Sequence, residues 1–140
     1  RNNHQNAILE TSSKLKGLRV PSSKCDTCPG CDDTNKCVHA AYKCYVFVKP
    51  EELNDGWDRD KIMNEVVLCG VPCFSGSCSE VYLEKAFDNT DYRPKERLPV
   101  AKELGETSLM FLVHPTLTEE EIKLTCDVLT EVMHLAAKQN

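Results

Sequence analysis

No run of apolar residues in this 140-residue chain approaches the ~18–20 that a membrane-spanning helix needs. The opening Arg1-Asn2-Asn3-His4-Gln5-Asn6 contains no apolar h-region, so no secretory signal is expected. An initiator Met is also missing, which suggests a chain that begins inside a longer protein. Positive charge is in deficit: 22 acidic against 17 basic residues give a net charge of −5. Lys and Arg are scattered and form no stripe. This argues against a nucleic-acid partner, because phosphate contacts need clustered cations. Three signatures of chemistry are absent as well: a glycine-rich phosphate loop, a paired-His zinc helix and a Gly-x-Ser-x-Gly elbow. Nothing in the sequence activates a nucleophile. Such a chain fits a domain that supports an active site assembled mostly elsewhere.

What is present reads as one globular domain. Hydrophobic residues make up 41% and charged residues 28%, enough apolar material for a single core at this length. The nine cysteines are odd in number and unevenly spaced. Cys25, Cys28, Cys31 and Cys37 share one polar stretch, whereas Cys44, Cys69, Cys73, Cys78 and Cys126 lie in or beside apolar segments. A secreted disulfide scaffold spreads its pairs and leans less on a core, so reduced thiols and a cytoplasmic location are expected.

The expected elements follow from pattern and punctuation. Residues 5–16 read as a helix ended by Gly17, and residues 18–21 as a short strand stopped by Pro21. Residues 22–37 have loop composition. Lys43 to Val48 is β-branched and aromatic, a strand closed by Pro50. Asp58 caps a helix whose inner face is Ile62, Met63, Val66 and Val67, with Gly70 just past its end. Residues 71–79 form a strand-to-loop segment, and a short helix is expected near 80–87. Pro99 starts another helix that Gly105 should end. The run Leu-Met-Phe-Leu-Val at 109–113 shows no alternation, which a strand buried on both faces explains. Thr118 and Glu121 form a capping box, with Leu117 and Ile122 as the hydrophobic staple. Ile122, Cys126, Leu129, Val132, Met133 and Ala136 then line one face of the last helix. The expected fold is α+β: a small, mainly antiparallel sheet of three or four strands with helices packed mainly on one side.

Several of these stretches carry a resemblance. The run Gly70-Val-Pro-Cys-Phe-Ser-Gly-Ser-Cys-Ser-Glu80-Val-Tyr-Leu-Glu-Lys-Ala-Phe87 resembles the small domain of the DegT/DnrJ/EryC1/StrS aminotransferases. So do Arg97-Leu-Pro-Val-Ala-Lys-Glu-Leu-Gly-Glu-Thr-Ser-Leu109 and Val113-His-Pro-Thr-Leu-Thr-Glu-Glu-Glu-Ile122. Upstream, His39-Ala-Ala-Tyr-Lys-Cys-Tyr-Val-Phe47 is similar to that family's His-then-aromatic strand, and Gly17-Leu-Arg-Val-Pro21 to its preceding turn. The collinear order covers nearly the whole chain apart from residues 22–37.

The resemblance implies the C-terminal domain of a fold-type I, pyridoxal-phosphate (PLP) enzyme. Such enzymes transfer an amino group from glutamate to a nucleotide-linked keto sugar. It also implies a homodimeric parent whose large domain holds PLP and the Schiff-base lysine. None of the twelve lysines here sits in a context like that lysine's. The chain is thus read as one small domain, 1–140, with a Cys-rich insertion at 22–38 and no catalytic residue of its own. Many relatives place His-Tyr, then Pro and His, where this chain has Phe74-Ser75-Gly76-Ser77, so the sugar is left open.

The substrate-facing candidates are Ser75, Gly76, Ser77, Ser79 and Glu80, with His39 and Tyr42 behind them. Serine hydroxyls and backbone N–H groups around Gly76 offer donors to sugar or phosphate oxygens, and Glu80 offers an acceptor to a hydroxyl. The plainer reading is a turn that caps the helix at Glu80. For His39 the alternative is a strand-edge histidine bonded to backbone, and His114 reads as structural. Cys25, Cys28, Cys31 and Cys37 have spacings that suit a structural zinc site. An iron–sulfur cluster or a loop of free thiols stays open. A zinc-bearing interaction module built on that loop is the alternative function. Thiol redox chemistry at Cys25/Cys28 or Cys73/Cys78 is a third, provided a thiol pKa is lowered.

Overall fold

The computed structural model describes residues 2–21 and 41–139. Cys25, Cys28, Cys31, Cys37 and His39 lie outside the described residues. Four helices and four strands follow in the order α1 (Asn2–Ser13), β1 (Leu18–Arg19), β2 (Lys43–Val48), α2 (Arg59–Leu68), β3 (Cys73–Phe74), α3 (Pro99–Thr107), β4 (Ser108–Leu112) and α4 (Glu119–Ala136). The strands form one antiparallel sheet in the order β1-β2-β4-β3. The α+β expectation therefore holds, and the strand at 43–48 falls where its composition put it.

Alternation gives the sheet two different faces. Cys44, Val46 and Val48 of β2 point to the back, and the register sets Leu109 beside Val46 and Phe111 beside Cys44. These side chains join Ile8 of α1, Ile62 and Val66 of α2, and Leu129, Val132 and Met133 of α4 in a single core. The front face carries Lys43, Tyr45 and Phe47, with Met110 opposite Tyr45 and Phe74 on the far edge. Helix α3 is tied to this front. Its Glu103 takes a hydrogen bond of 3.2 Å from Arg19, whose guanidinium stacks 4.7 Å from the Phe47 ring centroid. From Ser108 to Phe111, β4 is buried on both faces, as its unbroken apolar run requires.

Helix ends follow capping chemistry. Thr118 Oγ1 accepts from Glu121 N while the Glu121 carboxylate accepts from Thr118 N, completing the box. Asp58 accepts from Lys61 N at 2.7 Å. Other expectations need correction. Helix α1 ends at Ser13, not residue 16, because its last turn tightens into i→i+3 bonds from Lys14 N to Thr11 O and Leu15 N to Ser12 O. The helix expected near 80–87 is two separate 3-10 turns, Val81–Leu83 and Lys85–Phe87. Gly105 does not end α3; it lies inside it, where a Cβ would collide with the Ser79 hydroxyl. Val67 is 48% exposed, so only Ile62 and Val66 are the fully buried face of α2. In α4, Thr125 and Val128 are buried while Cys126 is half-buried; Thr125 enters because its hydroxyl bonds Glu121 O at 2.9 Å.

The five described cysteines are free thiols. Burial pushes the Cys44 and Cys73 thiols up to about 12, so neither ionises near neutrality. A Cys73/Cys78 redox pair is overturned on the Cys73 side, since a reactive thiol needs its pKa lowered.

Removing buried carbon from this core should cost far more than trimming the surface. In chemical denaturation, Leu129→Ala is expected to lose about 2–5 kcal/mol. The half-exposed Leu124→Ala should lose less than about 0.5 kcal/mol. Equal losses would mean that α4 packs on another face.

Candidate functional site

The front of the sheet supports a cleft of about 490 Å³. Its wall is residues 75–80, its floor is the turn at 83–85, and Lys102, Gly105 and Glu106 of α3 close the far side. Ser75, Gly76, Ser77, Ser79 and Glu80 thus stand together, as the sequence grouped them. Tyr42 is 76% exposed at the entry to β2 and reaches the group only through Lys43, whose ammonium lies 5.6 Å from the Tyr42 ring centroid.

Five contacts fix the wall. Ser108 Oγ donates to Ser75 O at 2.6 Å, fastening the loop to β4. Gly76 has φ +90° and lies flat on Tyr45, so close that a Cβ would come 2.5 Å from its ring Cε1. Only glycine allows both the dihedral and the approach. Ser77 N donates to Tyr45 Oη at 3.3 Å, and the two hydroxyls face each other at 3.4 Å. Lys43 Nζ donates to Ser77 Oγ at 3.4 Å from the side. The sequence did not single out Lys43 or Tyr45. Alternation along β2 was the signal that could have found them, since it sends both to the front.

Glu80 is where the structure is least like the sequence reading. Its carboxylate accepts from Arg97 Nε at 2.9 Å, Arg97 Nη2 at 2.5 Å and Tyr82 Oη at 2.6 Å. Tyr82 Oη in turn accepts from Leu98 N at 2.9 Å. It makes no side-chain cap at the turn that follows it. The Arg97 guanidinium, and then the Tyr82 hydroxyl, hold the Glu80 carboxyl below its usual value. Burial and the Glu80 bond push the Tyr82 phenol up. This clasp ties the end of the wall to the start of α3. His114 takes the structural place expected for it, with Nδ1 2.7 Å from Thr116 Oγ1 in the turn before α4.

Glu80, Glu84 and Glu106 line the cleft with Lys85 and Lys102; Glu80 is met by Arg97 from outside the lining, Glu106 lies 3.8 Å from Lys102, and Glu84 accepts from Cys78 Sγ at 3.6 Å. The serine hydroxyls and backbone N–H groups of this wall suit a hydroxyl-rich ligand. The cleft does not suit PLP by itself: Lys85 and Lys102 are both exposed, whereas a Schiff-base lysine relies on desolvation or a neighbouring cation. No group of three or more metal-ligating side chains occurs among the described residues, and the Cys25–Cys37 ligand set lies outside them.

With the fold and cleft in view, comparison with solved structures is informative. The chain is similar to the aminotransferase from Psychrobacter cryohalolentis, at 50% identity and TM-score 0.82, over 94% of this chain and 33% of that one. It shares its fold with the aminotransferase TlmJ from Streptoalloteichus hindustanus (17% identity, TM-score 0.66, 95% and 32% covered). The same fold occurs in 3-amino-5-hydroxybenzoic acid (AHBA) synthase (15%, TM-score 0.62, 94% and 33% covered). The chain is thus related to one part of an aminotransferase and spans about a third of the length of these proteins. No family model and no curated protein sequence matches it.

Two outcomes test this geometry. Gly76→Ala should lower stability by about 1–3 kcal/mol through strain and the collision with Tyr45. Gly56→Ala has a similar φ of +77° but open space around its Cβ, and should cost less in the same thermal scan. If the two cost the same, the Tyr45 contact is not what holds the loop. The second concerns acid. Because the folded Glu80 carboxyl titrates below its usual 4.5, its contribution to stability is complete above that pH and is lost as pH falls through the folded value. Glu80→Gln should therefore be less stable than the parent at neutral pH, and the gap should close on acidification below 4.5. A gap that stays constant with pH would remove the clasp from the account.

Proposed function

We propose that this chain is the C-terminal small domain of a PLP-dependent aminotransferase of the DegT/DnrJ/EryC1/StrS type. In this reading residues 1–140 form one domain with a Cys-rich insertion at 22–38. The domain forms one wall of the cleft for a nucleotide-linked keto sugar and is not catalytic alone. PLP, the Schiff-base lysine and the glutamate site belong mainly to a large domain of the parent, which works as a cytoplasmic homodimer. The carrying observation is 50% identity over 94% of the chain to part of an aminotransferase. The cleft supports the sugar: Ser75, Ser77 and Ser79 offer hydroxyls beside the Gly76 backbone. Tyr45 and the Glu80–Arg97 clasp act as positioning residues behind that wall. The free thiols of Cys44, Cys69, Cys73, Cys78 and Cys126 accord with a reducing compartment.

The test uses the full-length protein that carries this chain. It is expected to show the absorbance of bound PLP, to alter that absorbance when glutamate is added, and to aminate a nucleotide-linked keto sugar. Ser77→Ala should raise KM for the sugar substrate by about three- to tenfold, the loss of one or two hydrogen bonds, with the glutamate response unchanged. A full-length protein with no PLP absorbance would sink the reading.

A further inference from the structure

We propose that residues 81–97 are a strap over the cleft, latched shut by the Glu80–Arg97–Tyr82 clasp, and that release of this latch swings the cleft floor at 83–85 away from the wall. The strap stands on the packing of its own segment, whatever the parent enzyme does.

The segment takes no part in the core. Among the described residues none from 81 to 98 is buried, and none packs against the buried cluster. Every hydrogen bond that residues 81–97 make among the described residues ends within 78–98. Inside the segment the bonds are local: Leu83 N to Glu80 O at 2.8 Å, Phe87 N to Glu84 O at 2.9 Å, and Arg93 to Asp88. Asn89, at φ +60°, takes the left-handed conformation that asparagine tolerates. A stretch with so little burial opens easily once its ends part.

The ends are what hold. Tyr82 Oη donates to Glu80 at 2.6 Å and accepts from Leu98 N at 2.9 Å, so one phenol spans both ends. Arg97 closes the same gap with two bonds to the Glu80 carboxylate. The segment thus has the form of an Ω-loop, a surface excursion whose ends meet. The wall beside it is fastened separately, Ser75 to Ser108 and Ser77 to Tyr45. Leu83, Glu84 and Lys85 line the cleft with Lys102, Gly105 and Glu106 of α3, and Glu84 takes a 3.6 Å bond from Cys78 Sγ of the wall. Opening the latch therefore moves the floor and leaves the wall in place.

Limited trypsin digestion of the full-length protein reads the strap at Lys85 and Lys95, both exposed. Cleavage of a folded chain tracks the population of its opened form. Glu80→Gln and Tyr82→Phe are each expected to speed cleavage at both sites, in parallel, by about three- to tenfold, the scale of the bonds removed. Leu129→Ala weakens the core and not the latch, so it should change both rates by less than about twofold. If that variant does not fold, about 1 M urea applied to the parent takes its place. Access to the cleft is read at Cys78 with a bulky maleimide, the exposed Cys69 after α2 serving as the reference thiol. Cys78 should react at least about threefold faster in either latch variant, with Cys69 unchanged. An unchanged cleavage rate in either latch variant, acceleration at only one of the two sites, or an equal acceleration by Leu129→Ala would overturn the strap. Unchanged labelling of Cys78 would overturn its hold on the cleft.

Discussion

The burial of β4 on both faces is the constraint from which the rest of this domain follows. A central strand made of Leu109, Met110, Phe111 and neighbours has no side that tolerates water. Its back is met by α1, α2 and α4, whose Ile8, Ile62, Val66, Leu129 and Met133 close the core. On its front, among the described residues, stand α3 and the loop after β3. Met110 is covered by what borders it: Tyr45 and Phe74 on the flanking strands, and a loop drawn across the sheet by Ser108 and Tyr45. The wall of the cleft is thus fastened to both central strands of the sheet. Packing and site geometry are one requirement here, which is why a single glycine at 76 matters to both.

The same loop divides the polar chemistry of the front face. Two ion pairs stand on one side of it, Glu80 with Arg97 and Glu106 with Lys102. Exposed ion pairs of this kind add little stability, yet they fix positions. The Glu80–Arg97–Tyr82 clasp is the clearest case, joining segments that are otherwise held by two isolated 3-10 turns. Such turns cannot fix a wall by themselves, because each closes only one or two backbone bonds. Across the loop, Lys43 meets the Ser77 hydroxyl and the Tyr42 ring.

Much of this was legible in the sequence wherever one local rule governed. Val46 and its neighbours gave strand β2, Thr118 and Glu121 gave the start of α4, and the unalternating run at 109–113 gave a doubly buried strand. Legibility failed where distant residues decided the outcome. Gly105 reads as a helix stop, since glycine so often is one. It is instead a point of close approach, and only the position of Ser79, 26 residues earlier, reveals that. Val67 has the right spacing for the buried face of α2, but it stays 48% exposed. Thr125 reads as surface, and its hydroxyl is satisfied by its own helix, which lets it go inside.

The site shows the same division more sharply. Glu80 sits in a Ser- and Gly-rich loop, and a carboxylate in such a setting reads as an acceptor waiting for a ligand. Its partner is 17 residues away in a stretch with no secondary-structure signal, so nothing local discloses that its oxygens are taken. Lys43 and Tyr45 are the converse. They read as ordinary members of a strand, and strand residues are usually credited to the core. Yet a strand has two faces, and the residues between the buried ones must point the other way. In β2 that other way leads to Ser77, on the wall of the cleft. The residue that looks free to bind is a strut, and two residues that look like core strand hold the loop that lines the cleft.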